Sequence, residues 1–262
     1  MATIAELVED RTVDGVFAVA RKLRATTRKG KPYLVLELVD PSGRIEGRIW
    51  DDVDLLDKRF DGRLQLQVRT VEPVETDPPA LAPALRRHAD ELEGFLEFLA
   101  AEIAHAGLAA LVGEVLGDGE VRDGMRQLPA AGAEGHHGYA GGLLEHTVGV
   151  ATLCRETAQL HPRLRADLLL AAALLHDVGR VRELGRGPAF RPTQEGALLG
   201  HVHLGVRLVD QRATGLEEPV RAELLHAIAA HHDRNAARTA EAAVLYHANQ
   251  LDAQAATRPV GD

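Results

Sequence analysis

The chain has a single cysteine, Cys154, in 262 residues, so no intrachain disulfide can form and a thiolate-rich zinc ribbon is excluded. Aromatic residues make up only 3% of the sequence, which leaves Ala, Leu and Val to fill the core. The longest apolar run, Leu168 to Leu175, is far shorter than the roughly 20 residues a membrane span requires, so no membrane association is expected. The opening stretch MATIAELVEDRT is acidic and has no long apolar segment, so no signal peptide is expected. With the lone cysteine, this predicts a cytoplasmic protein.

Positive charge is also scarce. The net charge of −9 argues against a protein that coats nucleic acid indiscriminately. The imbalance is uneven: residues 1–75 carry 13 Lys+Arg against 14 Asp+Glu, a net of −1, and the remainder carries −8. Any nucleic-acid contact is therefore expected in the N-terminal part. The hydrophobic fraction of 45% and charged fraction of 26% are ordinary for a globular chain.

Hydrophobic patterning divides the chain. Val13–Ala20, Tyr33–Val39, Ile45–Trp50 and Leu64–Val71 are apolar-rich or alternate with period two, between Gly-bearing turns at Lys29-Gly30, Ser42-Gly43 and Asp61-Gly62. This predicts a small antiparallel β domain over residues 1–75. PVETDPPALAP then packs Pro73, Pro78, Pro79 and Pro83 together, and residues 76–90 are read as a linker. From residue 91 to 262 the pattern is helical, so the fold class is α+β in two domains. Gly179 is read as a helix stop, Gly141-Gly142 as a break that starts a new helix, and Pro219 as a first-turn proline.

Along this helical half runs an ordered set of ligand-type residues: His146, the doublet His176-Asp177, His201, His231-His232 and Asp252. One histidine alone is most often a surface or satisfied core group. The doublet, however, closes the apolar run ALLHDVG, where an unpaired aspartate would be costly to bury. Imidazoles and carboxylates suit Mn, Fe, Co, Ni or Zn, and helices of a bundle commonly converge such side chains on dinuclear sites. Hydrolysis of a phosphodiester needs a nucleophile at neutral pH and neutralisation of phosphoryl charge, and two divalent ions supply both. His88, His105, His161, His203, His226 and His247 are read as packing or surface groups.

GHHGYAGGLLEHT, LLHDVGR, LLGHVHLG and AHHDR, followed by Asp252, resemble the HD-domain superfamily of metal-dependent phosphohydrolases. HHGYAGGLLEH behind a β-rich front end is similar, more narrowly, to the YhaM-type 3′-5′ exoribonucleases. The resemblance implies an OB-like N-terminal domain and a C-terminal all-α HD bundle. It also implies trimming of single-stranded RNA, and in some members single-stranded DNA, from the 3′ end by a metal-activated hydroxide. Two divalent ions are implied, with Mn first and Co, Fe, Ni or Zn as alternatives. His146, His176, Asp177 and Asp252 would bind one ion; Asp177, bridging, with His201 and His231 would hold the other. His232 is a further ligand or a phosphate contact. Asp177 and Arg180 form the catalytic pair, and His136 and His137 contact substrate. Family members assemble into oligomers, so a homo-oligomer is a further expectation.

Three departures are visible. Arg180 stands where the family has Lys, which keeps the charge and changes its shape. Only DDVDLLDKRFDGR separates Trp50 from the next predicted strand, so the OB-like barrel is expected to lack a strand. Ten residues follow Asp252, which predicts a short last helix.

A second candidate surface lies in RKLRATTRKGK, residues 21–31, which has Arg24, Arg28, Lys29 and Lys31 among its cations and no acid. It is placed between the first two strands, with Arg180, Tyr33 and Trp50 as further substrate contacts, the aromatics by stacking on bases. Two rivals stand beside the exoribonuclease: an HD hydrolase of a small or cyclic nucleotide, and a non-catalytic RNA-binding protein. No GYP-type signature follows His231-His232.

Overall fold

The structure, a computed structural model, describes residues 3–4, 7, 15–27, 30–58, 63–67, 70–72, 88–131, 135–186 and 190–257, with 63–67 and 70–72 described by backbone alone. It is α+β, with a five-stranded antiparallel sheet followed by a helical region. Contacts divide the chain into one compact unit of Met1–Ala84 with Arg186–Arg191 and another of Leu85–Gly185 with Pro192–Asp262. The proline-rich stretch, including Pro73, Pro78, Pro79 and Pro83, lies outside the described residues.

In the first unit, β1 (Gly15–Thr26), β2 (Pro32–Asp40), β3 (Gly43–Ile49), β4 (Arg63–Gln67) and β5 (Thr70–Glu72) are ordered β3-β2-β1-β4-β5. A helical turn, α1 (Val53–Leu56), lies between β3 and β4. Alternation on β2 sends Leu34, Leu36 and Leu38 to one face, where they bury Phe17, Val19 and Val53. The missing strand expected from the short span after Trp50 is a correction. That span holds α1, and the fifth strand comes from LQLQVRTV, which is a hairpin of two short strands pairing Gln65 with Glu72 and Leu66 with Val71. The alternation there has no Gly, Pro or Asn to mark a reversal, so it reads as one strand. The basic cluster is also displaced. Arg21–Thr26 continue β1, paired with β2 as far as Thr26↔Pro32, and only residues 27–31 connect the strands.

The second unit contains α2 (Ala89–Ala101), α3 (Ala106–Gly117), α4 (Gly119–Gln127), α5 (Gly142–Leu160), α6 (Ala166–Leu175), α7 (Arg180–Glu183), α8 (Gln194–Arg212), α9 (Glu218–Ala230) and α10 (Ala240–Thr257). Every residue from Leu168 to Leu175 of α6 is buried, as an apolar run without a polar stripe requires. This helix packs against α3, α5, α9 and α10. The last helix is 18 residues long, not short. Gly141, at φ 80°, occupies the left-handed region ahead of α5 and Pro219 sits in the first turn of α9, as expected. Gly179 differs from a left-handed helix stop: its φ is −64°. A Cβ there would lie 1.9 Å from the His201 carbonyl oxygen, so the glycine permits α8 to approach the His176–Gly179 turn. Among the described residues no helix is long and apolar enough to cross a membrane.

Candidate metal centre

α6 ends at Leu175, and its buried apolar run from Leu168 to Leu175 carries the next two residues, His176 and Asp177, into the core, where they are 0% and 2% exposed. α5 brings His146 to the same place, α9 brings His231 at its C-terminus, and α8 brings His201. Ligand-type atoms gather in overlapping groups: His146, His176 and Asp177; Asp177, His201, His231 and His232; and His137, His146 and Asp252. Asp177 belongs to the first two.

The ring nitrogens of four imidazoles are committed in the same way. His176 Nδ1 lies 2.7 Å from the Ala173 carbonyl and His231 Nδ1 2.6 Å from the Ile228 carbonyl, so each ring donates Nδ1–H to the last turn of its own helix. His146 Nδ1 lies 2.7 Å from Asp252 Oδ2, and His201 Nδ1 3.3 Å from Glu183 Oε1. With Nδ1 serving as donor, a neutral ring has its lone pair on Nε2. These Nε2 atoms converge. His146 Nε2 and His176 Nε2 are 3.2 Å apart, and His231 Nε2 and His201 Nε2 are 3.5 and 3.3 Å from Asp177 Oδ1. Asp177 Oδ1 and His231 Nε2 are buried without a hydrogen-bond partner. Burial alone would raise the Asp177 carboxyl, but the Arg180 guanidinium and the surrounding imidazoles outweigh it and hold the group well below its ordinary range. Burial and neighbouring imidazoles push His176 well below its own. Arg180 approaches only Oδ2, at 3.7 Å, and the buried Oδ1 is left among imidazole Nε2 atoms without a hydrogen bond, which is costly unless a cation sits there. The donor set therefore fits divalent metal.

Asp252 joins His137 and His146 in the third of these groups. Its Oδ2 accepts from both His146 Nδ1 at 2.7 Å and His137 Nε2 at 2.9 Å, so it orients His146 from behind. His137 sits at φ 47°, and its Nδ1 lies 2.8 Å from the Tyr139 hydroxyl, which donates to Glu145. Burial opposes its charge, but the Asp252 and Glu145 carboxylates prevail and raise His137 to about 9. His136 lies 4.8 Å from the His146 ring; burial, then the charges of His146 and His137, push it down to about 4. His232 Nε2 is 2.8 Å from His201 Nε2, within the second group. Arg180 donates from Nη1 to Glu183 at 2.6 Å, and its Nε, without a partner, is 3.7 Å from Asp177 Oδ2.

Two contributors escaped the sequence reading. Glu183, one helical turn past Arg180, grips His201, and that i,i+3 spacing was a usable signal. Asn249 donates to the His231 carbonyl at 3.2 Å, and no local pattern marks it. Cys154 is buried, which pushes its thiol up to about 12 and removes it as a nucleophile.

The predicted RNA contacts of the β unit do not stand free. Arg24 pairs with Asp54 and Asp57, Lys31 with Asp51, and Lys22 with Asp57. Tyr33 and Trp50 stack on each other with centroids 4.7 Å apart. Arg28 and Lys29 lie outside the described residues.

Residues 143–254 match the family model described as HD domain, a span that holds the whole series from His146 to Asp252. Together with the His/Asp cluster, the match supports a metal-dependent phosphohydrolase. No solved structure matches the chain significantly.

Proposed function

We propose that the protein is a metal-dependent phosphodiesterase that removes nucleotides from the 3′ end of single-stranded RNA, with single-stranded DNA as a second substrate, in the cytoplasm. The observation that carries the hydrolytic part is the buried, unpartnered pair of Asp177 Oδ1 and His231 Nε2, ringed by imidazoles whose Nδ1 atoms are already committed. His146, His176 and Asp177 would hold one ion, and Asp177, His201, His231 and His232 the other. Divalent ions bound there lower the pKa of water and neutralise phosphoryl charge, with manganese the ion we assign. Asp177, held ionised, supplies the shared negative charge. The partnerless Nε–H of Arg180 faces this centre as a donor for a phosphoryl oxygen. The neutral His136 ring, partly exposed beside His146, offers a contact to the substrate.

The polymer substrate draws support from the β unit. Its order β3-β2-β1-β4-β5, with α1 between β3 and β4, is compatible with an OB barrel opened between β3 and β5, and Tyr33 and the exposed Trp50 lie on the β2–β3 side that such barrels use for oligonucleotides. A second reading, hydrolysis of a small or cyclic nucleotide, is favoured by one observation: the cations described in β1 and at Lys31 that would grip a phosphate backbone are largely paired with aspartates. The deciding experiment is digestion of 5′-labelled single-stranded RNA, with a 3′-blocked copy, in Mn²⁺ and then in EDTA. A Mn²⁺-dependent ladder that shortens from a free 3′ end sustains the exonuclease. Release of phosphate or a nucleoside monophosphate from small nucleotides alone, with the RNA intact, replaces it with the second reading.

A further inference from the structure

We propose that Glu183 is a positioning residue that builds the second metal position, fixing His201 through both its backbone and its ring while holding Arg180. This rests on the two-metal reading above. Glu183 ends α7, and its own backbone is pinned on both sides. Its N–H donates to the Gly179 carbonyl at 2.9 Å, and its carbonyl accepts from Thr193 N–H at 2.8 Å. A Cβ added to Gly196 would lie 2.2 Å from that carbonyl oxygen, so the first turn of α8 rests directly against it. The side chain therefore leaves from a fixed point.

α8 is broken where this carboxylate arrives. Gly200 has φ 69° and ψ 160°, and no atom lies within 4 Å of where its Cβ would be. The glycine is thus needed for its left-handed backbone and not for close packing. The break opens the helical hydrogen-bond ladder just before His201, whose N–H donates to Glu183 Oε1 at 3.1 Å. The same oxygen is 3.3 Å from His201 Nδ1. One carboxylate oxygen thereby caps the resumed helix and selects the ring tautomer. His176 and His231 take their Nδ1 acceptors from their own helices, but His201 begins a helical segment and has no preceding turn to supply one. With Nδ1 engaged, Nε2 of His201 turns to Asp177 Oδ1 at 3.3 Å and to His232 Nε2 at 2.8 Å. Glu183 Oε2 accepts from Arg180 Nη1 at 2.6 Å, so one side chain aligns a ligand of the second group and the cation beside Asp177.

The test uses the full chain, loaded with Mn²⁺ and read by elemental analysis and electron paramagnetic resonance. The wild-type protein is expected to take up two ions with a spin-coupled spectrum. Glu183→Ala should keep one ion and bind the second roughly 10–100-fold more weakly, leaving the spectrum of isolated Mn²⁺ at limiting metal. Glu183→Gln, whose amide oxygen still accepts from His201, should restore most of the second-ion binding. If the alanine variant fails to fold, Glu183→Asp, one methylene too short to reach His201, carries the same expectation. Two tightly bound, spin-coupled ions in the folded Ala variant, or in Asp in its place, would overturn the proposal and leave the two-metal reading intact. A folded wild-type protein that takes up fewer than two ions would overturn both.

Discussion

Arg24 and Lys31 in the β unit reach toward solvent, and each is paired with an aspartate of the segment 51–57. Asp177 and His231 in the helical unit are buried, and each keeps a polar atom with no hydrogen-bond partner. Physical cost runs the other way. Exposed pairs are worth about 0–1 kcal/mol, so making or breaking them changes little. A buried carboxylate or imidazole without a partner costs on the order of 1–3 kcal/mol or more. The expensive arrangement is the one a chain keeps only for a use, and a divalent ion is the use that fits. Charge density in a sequence is thus a weaker guide to function than an unanswered polar atom in a core.

The largest expected effect breaks the helical side of this comparison. Asp177→Ala should abolish retention of both ions by elemental analysis and lower hydrolysis by about 10⁴-fold or more, as loss of one member of a coupled catalytic set does. Gly179→Ala places a methyl group 1.9 Å from the His201 carbonyl and 2.5 Å from Gly205 N, both backbone. Overpacking of this kind should cost about 1–3 kcal/mol in thermal or denaturant melting and displace His201.

A smaller effect concerns pH. The folded-state pKa of His137 is raised from 6.5 to about 9, so its pairing stabilises the protein fully below about pH 6.5, and that contribution is lost as pH rises through about 9. In metal-free protein the melting gap between wild type and His137→Ala should be widest near pH 6 and narrow by pH 10; a gap that is constant with pH would exclude the charged pair. The smallest effect on stability is predicted for the β unit. Asp51→Asn with Asp54→Asn should shift stability by no more than about 1 kcal/mol. If Arg24 and Lys31 then meet a phosphate backbone, RNA binding should tighten and its salt dependence steepen by roughly 0.7 per cation in single strands. Unchanged binding would take this face out of the RNA site.

How far the sequence could be read follows the same division. The helical bundle was legible because an apolar helix that ends in His-Asp leaves little choice of environment, and His146, His176, Asp177, His201 and His231 do converge. Asp252 falls in a third ligand-type group, and its contacts to His146 Nδ1 and His137 are made by a tertiary approach that no spacing encodes. α5 and α10 come so close there that a Cβ on Gly149 would lie 2.2 Å from Asp252 Oδ1. In the β unit, period-two patterning located the strands but not their ends. Charged residues alternate on β1 as readily as apolar ones, so the cluster at 21–26 looked like a loop, and a reversal without Gly or Asn hid the β4–β5 hairpin. Pairing of those cations with Asp51, Asp54 and Asp57 required knowing that α1 lies beside β1, which is again a matter of long-range contact.

The double acceptor role of Asp252 also bears on how the molecule is made. Its partners His137 and His146 precede it by 115 and 106 residues. At translation rates of about 5–20 residues per second, His146 leaves the ribosome roughly 5–20 s before the aspartate that orients its ring. During that interval α6 can begin to gather its neighbours, but the imidazole of His146 has no fixed tautomer and the loop carrying His137 has no anchor on α10. A nascent chain therefore lacks the finished ligand cluster until α10 has emerged.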